Sequence, residues 1–195
     1  MSDKQFISII FKEEQPKYIS NTLIDFMKNF LGVNLEYSSN NNIINIIFDY
    51  NEEIDFLDII NLITSELYLS CRIYVSGKIN DSLVLSEYVS YINRNKKLFD
   101  GFSDLIINED FLVIHNLYGE IIRKNILKQY VNDYQMLDVI KEFLDSNMNI
   151  SKAANRLFMH RNTVMNKIDK FIDVTGYDIK QFNKAFVIYH LLIND

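Results

Sequence analysis

The stretch Asn149–Gly176, NISKAANRLFMHRNTVMNKIDKFIDVTG, reads as two short helices joined by a tight turn. In the first, Ala153, Ala154 and Leu157 share one face, and Asn149 or Ser151 is placed to cap the exposed N–H groups at its start. Two small alanines there let a second helix cross closely. After Phe158 and Met159 the apolar period restarts at Val164, Ile168, Phe171 and Ile172, which leaves Arg161, Asn162, Thr163, Asn166, Lys167 and Lys170 facing outward. That outward set has the chemistry duplex DNA requires. Arginine donates two hydrogen bonds to guanine O6 and N7, asparagine pairs bidentately with adenine, and lysine, threonine and serine suit phosphate oxygens. The polar cluster sits in the first turns of the second helix, where a recognition helix meets base edges. A plain helical hairpin with a solvated polar face has the same periodicity, so the order of the residues has to separate the two.

The run Asn149-Ile-Ser-Lys-Ala-Ala, then Leu157, then His160-Arg161-Asn162-Thr163, closely resembles the C-terminal helix-turn-helix of PucR/CdaR-type bacterial transcriptional regulators, itself similar to the Fis-type DNA-binding domain. The resemblance runs from about Met136 to Ile193 and is most specific at His160-Arg161-Asn162-Thr163. It departs at Met165 and Asn166, where such proteins often carry an arginine and an aromatic residue. The resemblance implies sequence-specific binding of double-stranded DNA. Arg161, Asn162 and Asn166 are then expected on bases, and Ser151, Lys152, Thr163, Lys167 and Lys170 on the backbone. His160, at the start of the second helix, caps it or touches phosphate, and Met165 completes the expected interface.

Composition sets outer limits. The chain has 195 residues, of which 48% are hydrophobic, enough for one large or two small globular domains. No apolar run approaches the roughly 20 residues of a membrane span, and MSDKQFISIIFKEEQPK lacks a signal peptide's apolar core, so a cytoplasmic protein is expected. The single cysteine, Cys71, excludes an internal disulfide framework and lies in an apolar run, where it reads as a small core residue. The net charge of −6 divides unevenly: from Met136 onward eight Lys and Arg face seven Asp and Glu, a net of +1. The acidity therefore belongs to the first 135 residues. A surplus of +1 is thin for a nucleic-acid module, because non-specific affinity scales with the number of phosphates neutralised. Two copies double those contacts and read two half-sites about one DNA turn apart, so a homodimer is expected.

The N-terminal part alternates element types. Gln5–Phe11 reads as a strand, and Tyr18–Leu31 as a helix with Ile19, Leu23, Phe26, Met27 and Phe30 on one face, ended by Gly32. Val33–Ser38 and Ile43–Tyr50 read as strands around the turn Ser39-Asn40-Asn41-Asn42. Ile54–Leu67 reads as a helix and Leu69–Val75 as a strand. The order β-α-β-β-α-β is the ferredoxin-like arrangement, an antiparallel sheet with helices on one face, and the chain as a whole is α+β. Beyond it are expected a helix over Leu83–Leu98, with Leu83, Val84, Tyr88, Tyr91 and Ile92 aligned, and a last strand over Ser103–Ile107. A short helix over Glu109–Leu117 and a linking helix over Glu120–Tyr130 follow. The expected division is residues 1–117 as an α+β domain, 118–135 as a linking helix and 136–195 as the helix-turn-helix domain. Many CdaR-type regulators carry a degenerate GGDEF-like domain before their helix-turn-helix, and residues 1–117 resemble one in element order. Such relatives usually have a sensory domain further upstream, whereas this chain is expected to begin at the first strand of the GGDEF-like part.

No enzyme is expected. In active diguanylate cyclases the hairpin's glycines admit the nucleotide and its acidic residues hold metal, and the corresponding Ser38-Ser39-Asn40-Asn41-Asn42 has neither. Asp49, Glu52, Glu53, Asp55 and Asp58 read as a solvated strand-to-helix loop favoured by the helix dipole, not as a metal site. His115 and His190 read as core or interface residues on separate amphipathic helices, and no cofactor is expected. The helix Gln181–Ile193 places Phe182, Ala185, Phe186, Tyr189 and Ile193 on one stripe, which completes the helix-turn-helix core or forms a dimer seam. An alternative to a DNA reader is an interaction or assembly module that kept the regulator's architecture and engages a protein partner through the acidic N-terminal part.

Overall fold

β1 (Lys4–Phe11) is buried along both faces, and that double burial sets the architecture of the N-terminal part. The structure is a computed structural model that describes residues 3–32, 35–103 and 105–194, in two compact units, Met1–Phe111 and Leu112–Asp195. The expected strand start at Val33 and the Asp104 position within Ser103–Ile107 lie outside the described residues.

In the first unit β1 is flanked by α1 (Lys17–Leu31), β2 (Glu36–Asn40), β3 (Ile43–Asp49), α2 (Phe56–Leu67) and β4 (Cys71–Val75) in chain order. α3 (Ser82–Asn95), a 3-10 segment and β5 (Ile106–Asn108) follow. The sheet order is β2-β3-β1-β4-β5, which contains the ferredoxin-like order and adds β5 parallel to β4, so the sheet is mixed and not wholly antiparallel. Alternation along β1 sends Ile7, Ile9 and Phe11 to one side, where they join Leu23, Ile24 and Met27 of α1 and Ile59, Ile60 and Ile63 of α2 in one core. The α1 face is therefore rotated from the expected one, with Phe30 exposed and Ile24 and Leu31 buried.

Helices cover both faces of this sheet. The second side is taken by α3, whose Tyr88 ring meets Phe6 edge-on at 5.3 Å, while Tyr74 stacks on Phe99 at 6.4 Å. Leu83, expected in that core, is 73% exposed, and Leu85, Tyr88 and Ile92 are buried instead. Polar atoms on this side are paired: the Ser8 hydroxyl donates to Asn45 Oδ1 at 2.6 Å, between residues opposite each other in the ladder. The Tyr74 and Tyr88 hydroxyls share a 2.5 Å hydrogen bond, and Tyr88 also donates to the buried Glu109 carboxylate at 2.9 Å. Burial, and then the Glu109 charge, push both phenols well above their ordinary range. The β2–β3 turn is tighter than expected, because Asn40 pairs with Ile43 and only Asn41 and Asn42 make the bend, Asn41 at φ +50°. Cys71 is buried, which pushes its thiol up to about 12 and makes it unreactive.

The second unit is helical. α4 (Glu109–Ile114) leads across the boundary between the units, and α5 (Glu120–Leu127) ends at Lys128, whose φ of +53° breaks the expected linking helix before a 3-10 turn over Lys128–Tyr130. α6 (Tyr134–Asp145) packs against α7 (Ile150–Arg156), α8 (Arg161–Thr175) and α9 (Phe182–Ile193). Asp133 caps α6, Gly176 ends α8 at φ +76°, and Tyr130 stacks on Phe171 at 5.7 Å. His115 stands in an exposed turn, not on a helix, and His190 Nε2 lies 3.2 Å from Asn116 Oδ1.

Candidate nucleic-acid interface

Two caps hold the helix-turn-helix in shape. Of the two candidates for α7, Asn149 caps it: its Oδ1 accepts from the Lys152 N–H at 3.0 Å. His160 caps α8 through Nδ1, which accepts from the Asn162 N–H at 3.2 Å and so uses the neutral ring's lone pair. Ala153 and Ala154 are buried where α7 meets α6 and α8, and Val164, Ile168, Phe171 and Thr175 form the buried stripe of α8.

With that stripe inward, helical geometry fixes where the candidate side chains lie. Asn162, Asn166 and Lys170 fall near the middle of the outward face of α8. Arg161 and Met165 line one edge of it, Thr163 and Lys167 the other. Ser151 and Lys152 are exposed in the first turn of α7. All ten candidates are exposed except Lys167, whose stem is partly covered at the helix flank. Asp169 and Asp173 share the later part of the α8 surface with Lys170, so the cationic part ends at Lys170.

Ion pairing sorts the remaining charges in a way that net charge conceals. Arg156 on α7 donates to the Glu142 carboxylate of α6 at 2.9 Å, Lys141 holds Asp145 at 2.7 Å, and Lys180 holds Asp169 at 2.7 Å. Hydrogen bonds from Arg156 and then Ser146 hold the Glu142 carboxyl below the ordinary carboxylate range, and the Lys141 hydrogen bond does the same for Asp145. Lys184 lies over the Tyr177 ring at 5.0 Å. Among the described residues, Lys152, Arg161, Lys167 and Lys170 form no ion pair, and all four belong to the expected interface.

Residues 136–193 match the family model of the PucR C-terminal helix-turn-helix domain. This part of the chain is a PucR-type helix-turn-helix domain. The chain is 33% identical over 64 residues to an uncharacterized protein, YxkF, of Bacillus subtilis (strain 168), an overlap of 33% of this chain and 22% of that one. It is 27% identical over 123 residues to the DNA-binding transcriptional activator AdeR of the same organism, covering 60% of this chain and 29% of AdeR. The chain thus spans less than a third of the length of these relatives. The crystal structure of a regulator of polyketide synthase expression from Bifidobacterium adolescentis shares the fold, with a TM-score of 0.51 over 99% of this chain and 80% of that one at 12% identity. Within the PucR-type domain, sequence reasoning missed Phe158. It occupies the turn before α8 at φ +53° and is 97% exposed, and nothing in helical periodicity signals a left-handed residue there.

Proposed function

We propose that the protein is a DNA-binding transcriptional regulator of PucR/CdaR type that engages double-stranded DNA as a homodimer. Arg161, Asn162 and Asn166 read bases, while Ser151, Lys152, His160, Thr163, Lys167 and Lys170 hold the sugar-phosphate backbone and Met165 lies against the groove. The observation that carries this reading is the sorting of cations: Lys152, Arg161, Lys167 and Lys170 point to solvent with no acidic partner among the described residues, whereas Lys141, Arg156 and Lys180 spend their charge within the unit. The N-terminal unit is an inert GGDEF-like domain in this reading, since its hairpin bend of Asn41 and Asn42 offers no carboxylate to a metal ion and no glycine to a nucleotide.

Fluorescence anisotropy with a pool of duplex genomic fragments tests it. The wild type binds in a salt-dependent manner, and Arg161→Ala/Asn162→Ala loses about 1–3 kcal/mol per lost base contact on the selected fragments. Equal binding by the double variant and the wild type overturns base reading by α8. Failure of the wild type to bind any fragment at low salt favours the alternative, an assembly module built on the regulator's architecture.

A further inference from the structure

α9 carries a second apolar face that the core of its own unit does not use. Its buried side is Ala185, Val187, Ile188 and Leu191, while most of the stripe expected for the core points outward, with Phe182 76% exposed and Phe186 44% exposed. Phe182, Phe186, Tyr189 and Ile193 recur at spacings of four, three and four residues, the seam pattern that accepts another helix lying nearly parallel or antiparallel to it. The rings form a ladder: Phe182 stacks on Phe186 at 6.3 Å, and Phe186 meets the His190 ring at 6.0 Å. Phe182, Phe186 and Tyr189 also line a groove of about 380 Å3, together with Leu144 and Met148.

We infer that this seam and groove are the surface on which a second copy of the chain docks, through its own α9. The inference rests on the homodimer of the proposed function and assigns its interface. Two features select a second copy over other partners. A two-fold contact requires one patch to be complementary to itself, and here the mostly exposed Phe182 ring and the apolar groove that it walls together with Phe186 and Tyr189 belong to one patch. The charge at the rim is already satisfied: Lys141 holds Asp145, the charged residue of the groove lining. Apposing two such patches therefore brings no unpaired like charges together, whereas an acidic or basic partner would find no complementary charge to meet.

Size-exclusion chromatography with light scattering, run from low to high micromolar protein, tests the assignment on the full chain. The wild type is expected as a dimer that dissociates on dilution. Phe182→Ser/Phe186→Ser, at two exposed positions, is expected to raise the dimer dissociation constant about a hundredfold or more with an unchanged circular-dichroism melt. Phe158→Ser removes a still more exposed ring outside the seam and leaves the dimer intact. Should the double variant melt early, the single Phe182→Ser variant still distinguishes the outcomes, because its ring is mostly in solvent in the monomer. A monomeric wild type, a double variant that dimerises like the wild type, or loss of the dimer in Phe158→Ser overturns the inference. None of these results touches base reading by Arg161 and Asn162, which the anisotropy measurement decides separately.

Discussion

Phe158 shows how one residue can be legible in type and illegible in conformation. Its apolar character implied a place in the run between the two helices, yet the backbone turns there through the left-handed region and throws the ring into solvent. A left-handed conformation costs an L-residue with a bulky side chain about 1–2 kcal/mol, and glycine adopts it without that penalty. Phe158→Gly is therefore expected to stabilise the chain by about 1 kcal/mol against urea, since it relieves the backbone and buries nothing less. A loss of stability in that variant would mean that the ring packs on something in solution. The caps were more readable. Asn149 and His160 stand where short polar acceptors terminate helices, and both accept the hydrogen bonds expected of them. For Asn149 the sequence left Ser151 as an equal candidate, and only the direction of the side chain separates the two.

Among the elements, α6 is the one on which the helix-turn-helix is mounted, and the Glu142–Arg156 pair ties it to α7. Both Glu142 and Asp145 have carboxyls held below the ordinary range in the folded protein. A depressed folded value means that the contribution is fully present above the ordinary carboxylate range and is lost as the pH falls through the folded value. Stability is thus expected to fall as the pH drops below about 4, the region where unperturbed carboxylates titrate. Arg156→Gln should lower the melting temperature at neutral pH and flatten its decline on the acid side, as followed by circular dichroism from neutral pH to pH 3. An unchanged acid profile would show that the pair makes no contribution. Among the strands, β1 reads as a short apolar run, and such runs leave open whether one face or two are buried. The packing of α3 on the far side settles this, and it also explains why Leu83 is exposed: the helix turns Leu85, Tyr88 and Ile92 toward Phe6 and Tyr74.

At the scale of the molecule, a total charge of −6 hides a division of labour between units and between ion pairs. If Lys152, Lys167 and Lys170, the unpaired cations assigned to the backbone, contact phosphates, each removes roughly one counterion's worth of salt dependence when deleted. Lys167→Ala is expected to weaken binding to all fragments alike and to reduce the slope of log affinity against log salt by about one. A sequence-selective loss with the slope intact would move Lys167 from the backbone to the bases. The chain's own order of residues determined the α+β class, the β-α-β-β-α-β order and the helix-turn-helix with its outward polar set, because turn residues, caps and apolar periods act over a few neighbours. Tertiary structure alone decided that β5 extends the sheet in parallel, that both sheet faces are covered, that Arg156, Lys141 and Lys180 are spent on internal pairs, and that most of the expected α9 stripe, Ala185 excepted, faces outward. These depend on which of two equally apolar faces meets a distant partner, and on which charges packing brings within reach. Periodicity carries neither, since it ranks the faces of a helix by composition and records nothing of what lies opposite them.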